Sequence, residues 1–139
     1  MAESANAPII VDASVAIKLF VEEEGSDRAQ ELLAEIASNP ESCVVPELFF
    51  FELANTLNRL IDDSGDERLD LFNSLIELGI GRAVFTTDLA AEIRKYQALG
   101  LSGYDSAYVA VASSVQGIWV TADERAHSKI VHLSLSRLL

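Results

Sequence analysis

Residues 101–123 constrain the fold more tightly than any other stretch of the chain. Ser102 stands three residues before Asp105, a spacing in which the hydroxyl caps a helix and the acid falls in its first turn. The helix dipole favours a negative charge there. From Ala107 to Val111 nearly every side chain is small or apolar, so this helix is expected to be buried almost all round. Gly117 is expected to end it as a C′ residue. Ile118-Trp119-Val120 is then a short apolar β run, with Asp123 just past its carboxyl end. Two acids therefore bracket a segment that is otherwise core, and a purely structural unit has no need of acids at those positions.

The rest of the chain alternates strand and helix signals. Pro8-Ile9-Ile10-Val11 is a compact apolar run ending at Asp12 and is expected as a fully buried first strand. A helix follows from Ala13 to Phe20, with Val15, Leu19 and either Ala16 or Phe20 facing inward. Glu22-Glu23-Glu24-Gly25 reads as a solvated turn. Ser26 is expected to cap a second helix with Ala29, Leu32, Leu33 and Ile36 on one face. Cys43-Val44-Val45 reads as the second strand, and Pro46 suits the first position of a helix reaching Ile61. Phe49, Leu53, Leu57 and Leu60 form that helix's core stripe; Glu52 lies on a neighbouring stripe, and Phe51 projects on a third face. A turn is expected at residues 62–65, with Ser64 and Glu67 as a capping box. Leu69, Phe72, Leu75 and Ile76 mark the next helix, and Ala83-Val84-Phe85 the third strand. Leu89, Ile93 and Tyr96 mark a helix closed by Gly100, and Ile130-Val131-His132-Leu133 reads as the last strand. This alternation predicts an α/β fold with a parallel central sheet flanked by helices. Sites in such sheets gather outside the carboxyl ends of strands, where Asp12 and Asp123 both fall.

Composition narrows the function. At 139 residues, half of them hydrophobic and 23% charged, the chain is expected to form one domain over 1–139, with 1–7 a flexible N-terminus. No apolar run approaches the ~20 residues of a membrane span. The first residues lack the basic and apolar regions of a secretory signal. The lone Cys43, beside Val44 and Val45, is expected as a buried thiol, in keeping with a reducing cytoplasm. A formal net charge of −12 argues against a passive nucleic-acid binder, which uses a basic patch to displace phosphate counterions. A chain this acidic that acts on nucleic acid must neutralise its own field locally, most simply with bound metal ions. The same charge suits a basic partner protein.

Each acid taken singly has a structural reading: Asp12 and Asp123 as helix caps, Asp105 as a partner of the helix dipole. Glu52 is harder to dismiss, because Phe49, Phe50, Phe51 and Leu53 around it would leave it partly desolvated. Taken together, three acids end or follow buried elements of one sheet and the fourth rises from an apolar helix. Clustered carboxylates without a cation repel and raise one another's pKa. Hard oxygen ligands in that number suit Mg²⁺ or Mn²⁺, which keep several waters and take up phosphate oxygens.

Four blocks carry a family resemblance: Val11-Asp12-Ala13-Ser14, Glu47 to Leu57 with Glu52, Leu101 to Tyr108 with its Tyr-Asp-x-x-Tyr core, and Val120-Thr121-Ala122-Asp123. In order and spacing they resemble the signature of PIN-domain nucleases, and within that family the VapC-type toxins of prokaryotic toxin–antitoxin pairs. The resemblance spans nearly the whole chain; Ser106 departs from it mildly, where such proteins commonly carry Ala. It implies a PIN-like three-layer α/β/α fold and a Mg²⁺- or Mn²⁺-dependent endoribonuclease leaving 5′-phosphate and 3′-hydroxyl ends. Asp12, Asp105 and Asp123 would hold the metal directly or through water, and Glu52 would complete the catalytic quartet. Thr121 and Ser14 either orient ligands and waters or make only local backbone hydrogen bonds. The resemblance further implies an RNA substrate, a cognate antitoxin whose tail lies over the active site, a homodimer, and a prokaryotic cytoplasmic location.

Other candidates are weaker. His127 and His132 have no paired nucleophile or ligand-spaced partner and read as structural. Lys18, Arg59, Arg94, Lys95, Arg125 and Lys129 are the cations to consider for RNA phosphates, and the sequence does not choose among them. A phosphatase of the aspartyl-phosphate type wants a second Asp two residues after the first, where Ser14 stands. A receiver domain wants an Asp ending a middle strand, where Pro46 and Thr86 stand. The surviving alternative is a non-catalytic module of the same fold whose acidic cleft holds a basic protein; the intact quartet argues against it.

Overall fold

The computed structural model describes residues 7–60 and 66–139, without the side chain of Leu60. The turn expected at 62–65, its Ser64 capping box and residues 1–6 lie outside that range. Among the described residues the order is β1 (Ile9–Val11), α1 (Ala13–Ala16), α2 (Ser26–Ser38), β2 (Val44–Pro46), α3 (Leu48–Leu60) and α4 (Glu67–Glu77). It continues with β3 (Gly81–Ala83), α5 (Thr87–Gln97), α6 (Gly103–Val115), β4 (Ile118–Thr121), α7 (Glu124–Ile130) and β5 (Ser136–Leu138).

Every strand pairing is parallel: β1 with β4, β4 with β5, and β2 with β3. A parallel bridge between Ile9 and Cys43 links the two groups in the order β3-β2-β1-β4-β5. The central strand β1 is buried along its length, as expected where helices cover both faces of a parallel sheet. Trp119, in register with Ile10, stacks on Tyr108 of α6 at 5.8 Å. Val11, one residue on, lines an apolar pocket with Val15, Leu32 and Cys43 under α1 and α2 on the other face. The architecture is three-layer α/β/α. From β1 the chain builds β2 and β3 on one side, then crosses back to build β4 and β5 on the other. Strand order thus reverses between β1 and β4, which opens a crevice beyond their carboxyl ends.

Several local expectations are corrected. The last strand is not at 130–133: Ile130 ends α7, and Val131–Leu133 is a 3-10 turn. The helix wins because Asp123 caps it, which puts Ala126 and Ile130, four residues apart, on the buried face. The actual strand, Ser136–Leu138, pairs among the described residues with β4 alone, at a sheet edge, and carries no apolar run for a pattern search to find. β3 ends at Ala83, paired with Pro46, and Val84 and Phe85 are exposed as the chain turns into α5. Pro46 is accordingly the last residue of β2 rather than the start of α3. Ser26 is the first helical residue of α2 and not its cap; its hydroxyl accepts from the Glu23 N–H at 3.0 Å and ties down the acidic turn. The helix after β1 tightens to a 3-10 turn at Ile17–Leu19, and Ala16 rather than Phe20 packs inward. Of the three successive phenylalanines only Phe49 is fully core, and Phe51 is 71% exposed.

Gly117 serves a different purpose from a C′ glycine. The left-handed residue at the end of α6 is Gln116, with φ 55°. A Cβ on Gly117 would lie 2.5 Å from the Pro8 carbonyl oxygen, because the turn into β4 presses against β1 where Ile118 N–H donates to that same oxygen at 2.9 Å. Gly117→Ala is expected to cost about 1–3 kcal/mol of stability through overpacking against backbone. The measurement is a lowered urea midpoint at unchanged m-value.

Candidate functional site

The β1–β4 crevice collects the four sequence-selected acids. Asp12, Glu52, Asp105 and Asp123 all line one open cleft of ≈ 330 Å³, together with Ser14 and Thr56. Each arrives from a different element: Asp12 from the end of β1, Glu52 from α3, Asp105 from the first turn of α6, and Asp123 from the junction of β4 and α7.

Asp12 is only 7% exposed. It occupies the N-cap position of α1 yet makes no side-chain cap, so the simple structural reading of this residue fails. Its Oδ2 instead accepts from Thr121 Oγ1 at 2.6 Å and from Ser14 Oγ at 2.8 Å. Thr121 Oγ1 also accepts from the Asp123 N–H at 3.1 Å, and Ser14 Oγ from the Ala122 N–H at 3.3 Å. Two hydroxyls thereby stitch the end of β1 to the end of β4. Asp123 does cap α7, its Oδ1 accepting from the Ala126 N–H at 3.1 Å. The Asp105 N–H is itself capped by Ser102 Oγ at 3.0 Å, as the capping-box spacing required.

Glu52 is held from the core side. Its Oε1 accepts a 2.6 Å hydrogen bond from the Tyr108 hydroxyl, whose ring is fully buried against Trp119. Tyr108 belongs to the Tyr-Asp-x-x-Tyr block but carries no role in the sequence reading, and Thr56 was missed altogether. Helical spacing is the signal for both: Tyr108 lies three residues after Asp105, and Thr56 four after Glu52. His127 bonds Ser136 Oγ at 2.7 Å and His132 is exposed on the 3-10 turn, so neither reaches the cleft. The Cys43 thiol is buried and pushed up to about 12 by desolvation, which leaves it an inert core group.

Three of the acids are held above the ordinary carboxylate range. Burial raises Asp12, against the hydrogen bonds from Thr121 and Ser14. Burial raises Glu52 as well, opposed by the Tyr108 hydrogen bond and reinforced by repulsion from Asp12 and Asp105. Burial and then the charges of Asp12 and Asp123 raise Asp105, while Ser102 and Lys129 pull it down. The common chemistry is a half-desolvated, mutually repelling set of hard oxygen donors. Among the described residues, no three His, Cys, Asp or Glu side chains converge into a closed metal cage. An open carboxylate cleft still fits Mg²⁺ or Mn²⁺, because a hydrated ion is held by one or two carboxylates plus water and phosphate oxygens.

A raised carboxylate takes up protons more readily in the folded chain than in the unfolded one, so its contribution to stability falls as pH rises above the ordinary value of 3.8 for an Asp. Asp105→Asn is therefore expected to raise the metal-free melting temperature near neutrality and to have little effect near about pH 4. Melting curves in chelator at both pH values measure this; equal effects at both would remove electrostatic strain as the cause.

A family model described as PIN domain matches residues 9–132. A search of curated proteins finds no match. Among solved structures, the chain is similar to a toxin–antitoxin complex from Klebsiella pneumoniae, with a TM-score of 0.68 at 13% identity, covering 93% of this chain and 95% of that one. It is similar to FitAcB from Neisseria gonorrhoeae, with a TM-score of 0.67 at 15% identity over 94% and 96% of the two chains. PAE2754 from Pyrobaculum aerophilum gives a TM-score of 0.65 at 20% identity, covering 89% of this chain and 80% of that one.

Proposed function

The chain belongs to the PIN-domain family, and on that premise we propose that it is a Mg²⁺- or Mn²⁺-dependent endoribonuclease, the VapC-type toxin of a toxin–antitoxin pair. The observation that carries the reading is the convergence of Asp12, Glu52, Asp105 and Asp123 on one cleft at the β1–β4 switch point. Asp12, Asp105 and Asp123 hold the ion directly or through water, and Glu52 completes the quartet. An ion held there would supply Lewis acidity toward a water and the phosphate oxygens. Thr121 and Ser14 fix Asp12 by donating to its Oδ2, so the rest of that carboxylate is directed by the scaffold rather than by the ligand. Tyr108 does the same for Glu52. The phenol is pushed well up by burial and by the charges of Asp12 and Glu52, so it stays protonated and acts as a donor.

The proposal extends to partners and place. The solved structures it resembles include a toxin–antitoxin complex, which supports a cognate antitoxin whose basic residues would suit the acidic cleft. A homodimer and a prokaryotic cytoplasmic location follow from the same reading. No helix among the described residues is long and apolar enough to cross a membrane.

Wild-type protein is expected to cut members of a transfer and ribosomal RNA panel at discrete sites with Mg²⁺ or Mn²⁺ and not with chelator. Asp105→Asn, purified identically, is expected to lose about 100-fold or more, since even residues that merely support a metal ligand cost 10–100-fold. Cutting that survives in the variant would mark a contaminant, and no cutting together with no metal binding would favour the non-catalytic binding module. Independently of activity, Mn²⁺ at about ten times its Kd is expected to raise the melting temperature by about 3–5 °C. A melting temperature indifferent to Mn²⁺ argues against a formed metal site.

A further inference from the structure

The chain has ten lysines and arginines against 22 acids, so where its cations stand is informative. Two further clefts adjoin the acid cleft, and Asp123 lines all three. One of them joins Asp105 and Asp123 to Arg125 and Lys129. Those two cations are four residues apart on α7 and so share a helix face. Asp123 caps the start of α7 and fixes how that face is presented beside the acids. Lys129 Nζ donates to the Gly100 carbonyl at 2.9 Å, which keeps its charge at the rim. Among the described residues Arg125 makes no ion pair.

The third cleft differs. Lys18 there is bound by Glu23 at 3.0 Å and by the Glu24 carbonyl at 2.7 Å, and Glu124 adds another negative charge. Two cations elsewhere are also engaged: Arg82 makes two 2.7 Å hydrogen bonds to Glu47, and Lys95 pairs with Glu92 at 3.6 Å. Arg28 also lines the third cleft, as does Arg125 itself; among the described residues, the cations that line a cleft together with both Asp105 and Asp123 are the α7 pair.

We propose that Arg125 and Lys129 form a phosphate-binding subsite for single-stranded RNA, holding a backbone phosphate that flanks the one presented to the acids. This rests on the nuclease reading above. A guanidinium fork engages a phosphate with two parallel hydrogen bonds, and an ammonium acts as a point charge. Together they offset part of the field that an acidic chain presents to a polyanion, on the side of the cleft where they stand beside Asp105 and Asp123. Because both contacts are to phosphate, they position the strand without reading its sequence.

The test is anisotropy of a fluorescent single-stranded RNA of about 12 nucleotides, titrated with Asp105→Asn protein in Mn²⁺ over a range of salt. Adding Arg125→Ala or Lys129→Ala to that background is expected to weaken binding about fivefold at ~0.1 M salt and to flatten the log K against log salt slope by about 0.7 each. Arg125→Lys is expected to restore the slope, and Arg94→Ala, on α5 away from the three clefts, to change neither quantity. Unaltered slopes for the α7 variants, while wild-type protein still cuts RNA with metal, overturn the subsite and leave the nuclease standing. Wild-type protein that neither cuts nor binds RNA overturns both.

Discussion

Asp12 is a carboxylate kept almost out of water at the seam between β1 and β4, and two hydroxyls make that burial tolerable. Thr121 and Ser14 donate to the same oxygen while accepting from the Asp123 and Ala122 N–H groups. The seam has no other covalent or local reason to hold its shape, because its two strands are more than a hundred residues apart in sequence. The Asp12 N–H to Val120 carbonyl bond, 3.0 Å, continues the ladder into the seam. Fixing Asp12 therefore fixes the end of β4, and with it the start of α7, where both Asp123 and the Arg125–Lys129 face begin.

The other two acids depend on α6. This helix lies across β1, β2 and β4, and its buried length anchors Asp105 in its first turn and Tyr108 one turn later. Tyr108 is wedged against Trp119 and reaches out to Glu52, so α3 and β4 are coupled through one ring. The quartet is a strained arrangement: burial opposes ionisation of Asp12, Glu52 and Asp105, and repulsion from neighbouring acids adds to it at Glu52 and Asp105. A scaffold that supports such burial and repulsion does so at the expense of stability.

Legibility varied with the kind of information each feature needs. β1 and β4 were readable as compact apolar runs and α6 because residues 107–112 are small or apolar almost all round, a local property of the sequence. The capping roles of Ser102 and Gly100 were readable for the same reason, since cap chemistry involves residues three or four apart. β5 was not readable: an edge strand of Ser136, Arg137 and Leu138 has no signature apart from its partner β4. The short β3 was misplaced because its partner β2 comes from a distant segment. Gly117 looked like a helix terminator and is instead a contact point with Pro8, a fact that no local pattern contains.

The sequence by itself determined which elements are core, where the four acids stand on them, and which family the motif blocks resemble. Those follow from side-chain chemistry and short-range periodicity, which a linear chain displays in full. Only the tertiary structure decided that Asp12 is bonded rather than capping, that Tyr108 holds Glu52, and that of six candidate cations Arg125 and Lys129 share a cleft with Asp105 and Asp123. Each of these depends on parallel pairing between strands far apart in the chain. Long-range closure brings such groups within hydrogen-bond distance, and no local spacing rule encodes it.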